Sequence, residues 1–140
     1  MKTETLRPEL RLAIEAAQNK KAGSVTLLDL SGLGAFTEWF LVCTGFSTRQ
    51  VAAIGDEIEE QLHGLGLRLE HREGNGESEW MLLDYGRFLV HIFTDRARHF
   101  YDLERLWRAA RRIEIRDPGP SEASEGRTET SAGERREESA

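Results

Sequence analysis

The chain predicts an α/β sandwich, a mixed β-sheet flanked by helices, and three observations carry that expectation. Apolar, β-favouring runs recur at Val25–Leu30, Trp39–Thr44, Trp80–Tyr85 and Phe88–Phe93. Apolar residues at helical spacing recur at Leu10, Ile14 and Ala17, and again at Val51, Ile54, Ile58 and Leu62. Glycine-rich or polar stretches separate the two kinds of segment, as layered α/β domains require.

Taken in order, the first helix starts at Pro8, whose missing N–H costs nothing in a first turn, and closes at Gly23. Val25–Leu30 follows as a strand, then a loop with Gly32 and Gly34. The near-continuous apolarity of Trp39–Thr44 marks a central strand buried on both faces. Ser47 with Gln50 three residues later fits a capping box, so a second helix starts there. Its stripe is Val51, Ile54, Ile58 and Leu62, with Asp56, Glu57, Glu59 and Glu60 facing water, and Gly64 and Gly66 end it. Leu67–Arg72 reads as a third strand, and Glu73-Gly74-Asn75-Gly76 as a turn. Trp80–Tyr85 and Phe88–Phe93 are joined tightly through Gly86-Arg87, and Asp102 caps a last helix using Leu103, Leu106, Trp107 and Ala110. The predicted order is α-β-β-α-β-β-β-α.

With 140 residues the chain is long enough for one domain with a core. We assign residues 1–116 to it and residues 117–140 to a disordered acidic tail. After Asp117-Pro118-Gly119-Pro120 there is no aliphatic residue larger than alanine, too little to offset an ordering entropy of about 1–2 kcal/mol per residue. Seven acids and three arginines give the tail −4 of the total −6, so the folded part is near −2. That balance disfavours direct, sequence-specific binding to naked nucleic acid, whose affinity rests on Lys and Arg contacts to phosphate. It leaves docking on a basic protein open. No apolar run is long enough to span a bilayer, the N-terminus has no secretory pattern, and the expected location is cytoplasmic. The one cysteine, Cys43, is expected as a small buried hydrophobe.

Catalytic signals are sparse. His63, His71, His91 and His99 lack metal-ligand spacing, so neither metal nor cofactor is expected, and His91 reads as a hydrogen-bonded structural histidine. Gly45-Phe46-Ser47 followed by Asp56-Glu57 is reminiscent of nucleotidyltransferases, and a nucleotide-binding or nucleotidyl-transferring enzyme is the alternative reading. That chemistry needs two carboxylates converging on divalent metal. Adjacent residues of a helix point about 100° apart, so Asp56 and Glu57 do not converge, and Asp29 and Asp84 each stand alone.

Alternation along Trp80–Tyr85 puts Trp80, Leu82 and Asp84 on one face, and Met81, Leu83 and Tyr85 on the other. Both sets carry large apolar groups, so alternation leaves open which face is outward. An outward Trp80 and Leu82 would form an anchor beside the Asp84 carboxylate, suited to a basic partner.

Cys43-Thr44-Gly45-Phe46-Ser47-Thr48-Arg49-Gln50-Val51, Asp56-Glu57, Trp80–Tyr85, Val90-His91-Ile92-Phe93 and Phe100–Trp107 together resemble the ribosomal silencing factor family, also called the Iojap family. The likeness runs from about Leu6 to Ala110. It implies a nucleotidyltransferase-like fold without catalysis, and binding to ribosomal protein fourteen of the large subunit. There it would block joining of the small subunit and lower translation when nutrients are scarce, the free chain being a homodimer. Carried over by residue, Trp80, Leu82, Asp84 and Tyr85 match the strand that contacts the ribosomal protein, with Arg98, Tyr101 and Glu104 at the rim. Two departures stand out. Thr37-Glu38-Trp39-Phe40 replaces the usual Thr-Asp-Tyr-Phe, and Arg87 stands where Asp is frequent.

Overall fold

A computed structural model describes residues 7–117. It has a six-stranded mixed sheet in the order β3-β4-β5-β2-β1-β6. The elements are α1 (Pro8–Asn19), β1 (Gly23–Asp29), β2 (Trp39–Gly45), α2 (Thr48–Gly64), β3 (His71–Glu73), β4 (Trp80–Asp84), β5 (Phe88–Thr94), α3 (Asp95–Tyr101), α4 (Leu103–Leu106) and β6 (Arg111–Glu114). β2 and β5 run parallel at the centre, and the other pairings are antiparallel. The tail assigned to residues 117–140 lies, past Asp117, outside the described residues.

The two faces of the sheet are covered unequally. On one, α1 and α2 pack their stripes (Leu10, Ile14 and Ala17; Val51, Ile54, Ile58 and Leu62) over Leu27, Leu41, Cys43, Met81, Leu83, Val90 and Ile92. Gly55 allows this close approach, because a Cβ there would stand 2.3 Å from Met81 Sδ. Burial pushes the Cys43 thiol up to about 12, so it packs as an apolar group. On the other face Leu28, Leu30, Phe40, Val42, Leu89 and Phe93 pack with Ala97 of α3, Ala110, and the partly buried Ala35, Trp80, Leu82, Leu103 and Trp107. Seven- and four-residue helices cannot cover what helices of 12 and 17 residues cover.

The caps follow the sequence with one variation. Ser47 Oγ accepts from the Gln50 backbone N–H at 3.1 Å, while the Gln50 side chain reaches back to Phe46 N–H instead of the cap residue itself. Its amide also donates to the Lys20 and Lys21 carbonyls, tying the α1–β1 turn to the start of α2. α2 ends in a Schellman motif: Gly66 at φ 92° donates to the His63 carbonyl and Leu67 to the Leu62 carbonyl.

Three local expectations are corrected. Gly23 does not close α1 but opens β1, the left-handed turn falling to Lys21 at φ 64°. Of the third predicted strand, Leu67–Arg72, only His71 and Arg72 pair with β4, and the pairing runs on to Glu73, which reads from the sequence as turn. The single last helix is instead α3, one turn of α4 and the edge strand β6. Thr94 caps α3 by accepting from Ala97 N–H, and Asp102, left-handed at φ 49°, breaks the chain without a side-chain cap bond. Arg111–Glu114 then pairs with β1.

Candidate docking surface

β4 lies between the short β3 and the central β5, and its alternation sorts its side chains. Met81 and Leu83 are fully buried beneath α2, whereas Trp80, Leu82 and Asp84 are half-buried on the thinly covered face. Opposite them in register, Trp80 faces Phe93 and Leu82 faces His91. The Trp80 ring stacks on Phe93 with centroids 5.1 Å apart. Tyr101, carried there by the end of α3, lies over the same indole at 4.6 Å and keeps 51 % of its surface exposed. Phe100 meets Tyr101 edge-on at 5.0 Å and is largely exposed, as is Leu106. A depression of about 340 Å³ beside this cluster is lined by Glu79, Arg96, Ala97, Phe100 and Tyr101. Glu79 accepts from the Thr94 hydroxyl and pairs with Arg96, giving the apolar patch a polar margin.

The Asp84 carboxylate accepts from Gly86 N–H at 2.8 Å and so fixes the turn into β5, where Gly86 has φ 85°. His91 is only 4 % exposed, and its Nδ1 accepts the Trp80 indole N–H at 3.1 Å. Burial pulls the imidazole down to about 4, so it is neutral at pH 7. The expected hydrogen-bonded structural histidine is therefore present, and its partner is Trp80.

Of the seven residues singled out from the sequence, Trp80, Leu82, Asp84 and Tyr101 share one face. Tyr85 lies on the other, 8 % exposed, stacked on Phe88 at 5.2 Å, its hydroxyl pushed up to about 12 by burial and by nearby Glu59. It packs into the core on the side away from Trp80 and Leu82. Arg98 and Glu104 are likewise engaged internally, with 11 % and 13 % of their side chains exposed. The Arg98 guanidinium grips both Glu104 oxygens and donates to Thr26 Oγ1, Thr44 Oγ1 and the Ser24 carbonyl. A helical reading of residues 103–110 turns Leu106 inward, whereas the structure exposes it; Phe100, outside that predicted helix and not among the residues singled out, is exposed as well.

Nucleotidyl-transfer geometry does not assemble in the described residues. Asp56 lies exposed on α2 within 3.4 Å of Arg72, and Glu57 accepts from Gln61. Asp29 on β1 and Asp84 on β4 have β2 and β5 between them, so three interstrand steps part them by roughly 14 Å, against the ~4 Å between paired metals. No group of three or more His, Cys, Asp or Glu that could hold a metal ion occurs among the described residues. No helix there is long and apolar enough to cross a membrane.

Residues 3–140 match the family model described as ribosomal silencing factor during starvation. The Bacillus subtilis ribosomal silencing factor RsfS is 38 % identical over 98 residues, which span 70 % of this chain and 83 % of that one. Its Halalkalibacterium halodurans counterpart is 36 % identical over 106 residues, 76 % of this chain and 91 % of the relative. The chloroplastic Iojap protein of Arabidopsis thaliana is 32 % identical over 115 residues, 80 % of this chain and 46 % of the plant protein. Among solved structures, a crystal structure of a Chromobacterium violaceum protein superposes with a TM-score of 0.68 at 35 % identity, covering 76 % of this chain and 87 % of that one. A family match over residues 3–140, bacterial relatives alike over most of their length and a shared mixed α/β fold lead to one conclusion: this chain belongs to the ribosomal silencing factor family.

Proposed function

We propose that this chain represses translation by docking on the large ribosomal subunit at ribosomal protein fourteen, where it sterically excludes the small subunit and lowers protein synthesis when nutrients are limiting. The observation that carries this reading is the half-covered aromatic face of β4, in a chain that matches the family over residues 3–140. Trp80 and Leu82 supply an apolar anchor, Tyr101 widens it, and Asp84 stands beside it as a carboxylate for a basic partner. A footprint of about 800 Å² per partner suffices for tight docking when such anchors are well packed. Exclusion needs bulk and position but no catalysis, in keeping with carboxylates held apart and engaged in local bonds. The free chain is a homodimer in the cytoplasm on this reading.

A subunit-joining assay tests it. Purified large and small subunits are mixed with increasing amounts of the chain and resolved on a sucrose gradient. Joined ribosomes should fall as the chain comigrates with the large-subunit peak. Comigration with joining intact would remove the exclusion, and a chain that stays at the top of the gradient would remove the docking as well.

A further inference from the structure

Trp80 is half-buried, so no enclosing pocket sets the orientation of its indole. Phe93 below and Tyr101 above restrict the ring plane, yet stacking alone allows it to slide or flip. One directional bond reaches it: Nε1–H donates to His91 Nδ1 on the neighbouring strand. His91 faces Leu82 directly and reaches Trp80 on the diagonal, a separation that aromatic side chains bridge.

The arrangement has a cost that a purely structural residue would avoid. With Nδ1 accepting, the neutral ring carries its proton on Nε2, and that buried nitrogen has no hydrogen-bond partner among the described residues. Leu89 and Phe93, two residues away on either side in β5, share this face and are apolar. Phe40 meets the imidazole edge-on at 4.6 Å, so the surroundings would accept a phenyl ring in its place. A histidine that leaves one nitrogen unpaired while directing the other at the anchor is explained by what it does to the anchor.

We infer that His91 is a positioning residue for docking: its Nδ1 fixes the Trp80 indole in the orientation presented to the partner. The inference rests on the docking reading above, and nothing in the partner need touch His91 itself. The two ring nitrogens also make different demands on a substitute. Asparagine carries its Oδ1 near the place of Nδ1 and can accept from the indole. Glutamine reaches toward the place of Nε2, and phenylalanine offers no acceptor.

The test is a double-mutant cycle on large-subunit affinity, with Trp80 either native or changed to phenylalanine, which keeps a ring but has no N–H. With native Trp80, His91→Phe should weaken binding about five- to tenfold, the worth of one neutral hydrogen bond, and His91→Asn should recover most of that loss while His91→Gln does not. In the Trp80→Phe background the His91 substitutions should have no further effect. Binding is measured well below each variant's melting temperature, and His91→Asn keeps the test decisive if His91→Phe folds poorly. In the free protein, the ¹⁵N indole resonance of Trp80 should shift upfield in His91→Phe and return in His91→Asn. Equal losses in both Trp80 backgrounds, or no loss in either, would overturn the positioning role. Full binding by Trp80→Ala would instead overturn the docking reading, and the two failures are told apart by that variant alone.

Discussion

Trp80→Ala is expected to lower affinity for the large ribosomal subunit by about thirtyfold or more, the loss of some 2 kcal/mol that truncating a central aromatic anchor brings. The indole is held from three sides, by Phe93, His91 and Tyr101, and offers its remaining surface outward. Alanine removes that surface and leaves Tyr101 and His91 without their partner. Leu82→Ala should cost less, about three- to fivefold, because it deletes a smaller group from the same face. Asp84→Arg should also weaken binding, more at low salt than at high, since it puts like charge against a basic partner. Equilibrium binding of fluorescently labelled chain to purified large subunits measures all three. Trp80→Ala binding within twofold of the native chain would remove the proposed surface.

The second large effect is on stability, at the Arg98–Glu104 pair. Arg98 joins α3 to β1, β2 and α4 through one guanidinium, and Arg112 on β6 adds a second cation 2.9 Å from Glu104. Glu104→Ala leaves the Arg98 charge buried without its carboxylate, and breaking such a pair costs about 3 kcal/mol, or a melting temperature lower by roughly 10 °C. The pH dependence has a definite sign. The Arg98 hydrogen bonds, aided by the Arg98 and Arg112 charges and opposed by burial, hold the Glu104 carboxyl below its ordinary 4.5. A depressed carboxyl stabilises the fold above its unfolded value, and the contribution disappears as pH falls through the folded one. The native chain should therefore lose stability below about pH 4.5 more steeply than Glu104→Gln, as melting curves from pH 7 to pH 3 would record. Parallel slopes would contradict this assignment, and a fall in affinity without any fall in stability would return the pair to the docking rim.

Much of this architecture is legible in the chain because periodicity reports burial. The α2 stripe, the central β2 and the alternation of β4 all appear where the spacing of apolar residues puts them. α3 escaped because only Ala97 is buried along its seven residues, leaving no stripe to read. β6 escaped because Arg111-Arg112-Ile113-Glu114 is a polar edge strand, and pairing with β1 is a long-range fact. Tyr85 was separated from Trp80 by alternation alone, yet the family likeness placed both at the interface, and burial separates them again. The outward face of β4 could not be read from its own residues, since Trp80 and Leu82 are as apolar as Met81 and Leu83. It depends on the reach of helices elsewhere: α1 and α2 are long and cover one side, while α3 and α4 are short. His91's bond to Trp80 required the β4–β5 register as well as the rotamers of both rings.

Site-specific photocrosslinking on purified large subunits tests the choice of face most directly. A photoreactive side chain at Leu82 should attach to ribosomal protein fourteen, and the same group at Glu60, on the exposed side of α2, should not. Attachment from Glu60 with none from Leu82 would mean that the chain meets the ribosome with its helical side, and the account would be wrong.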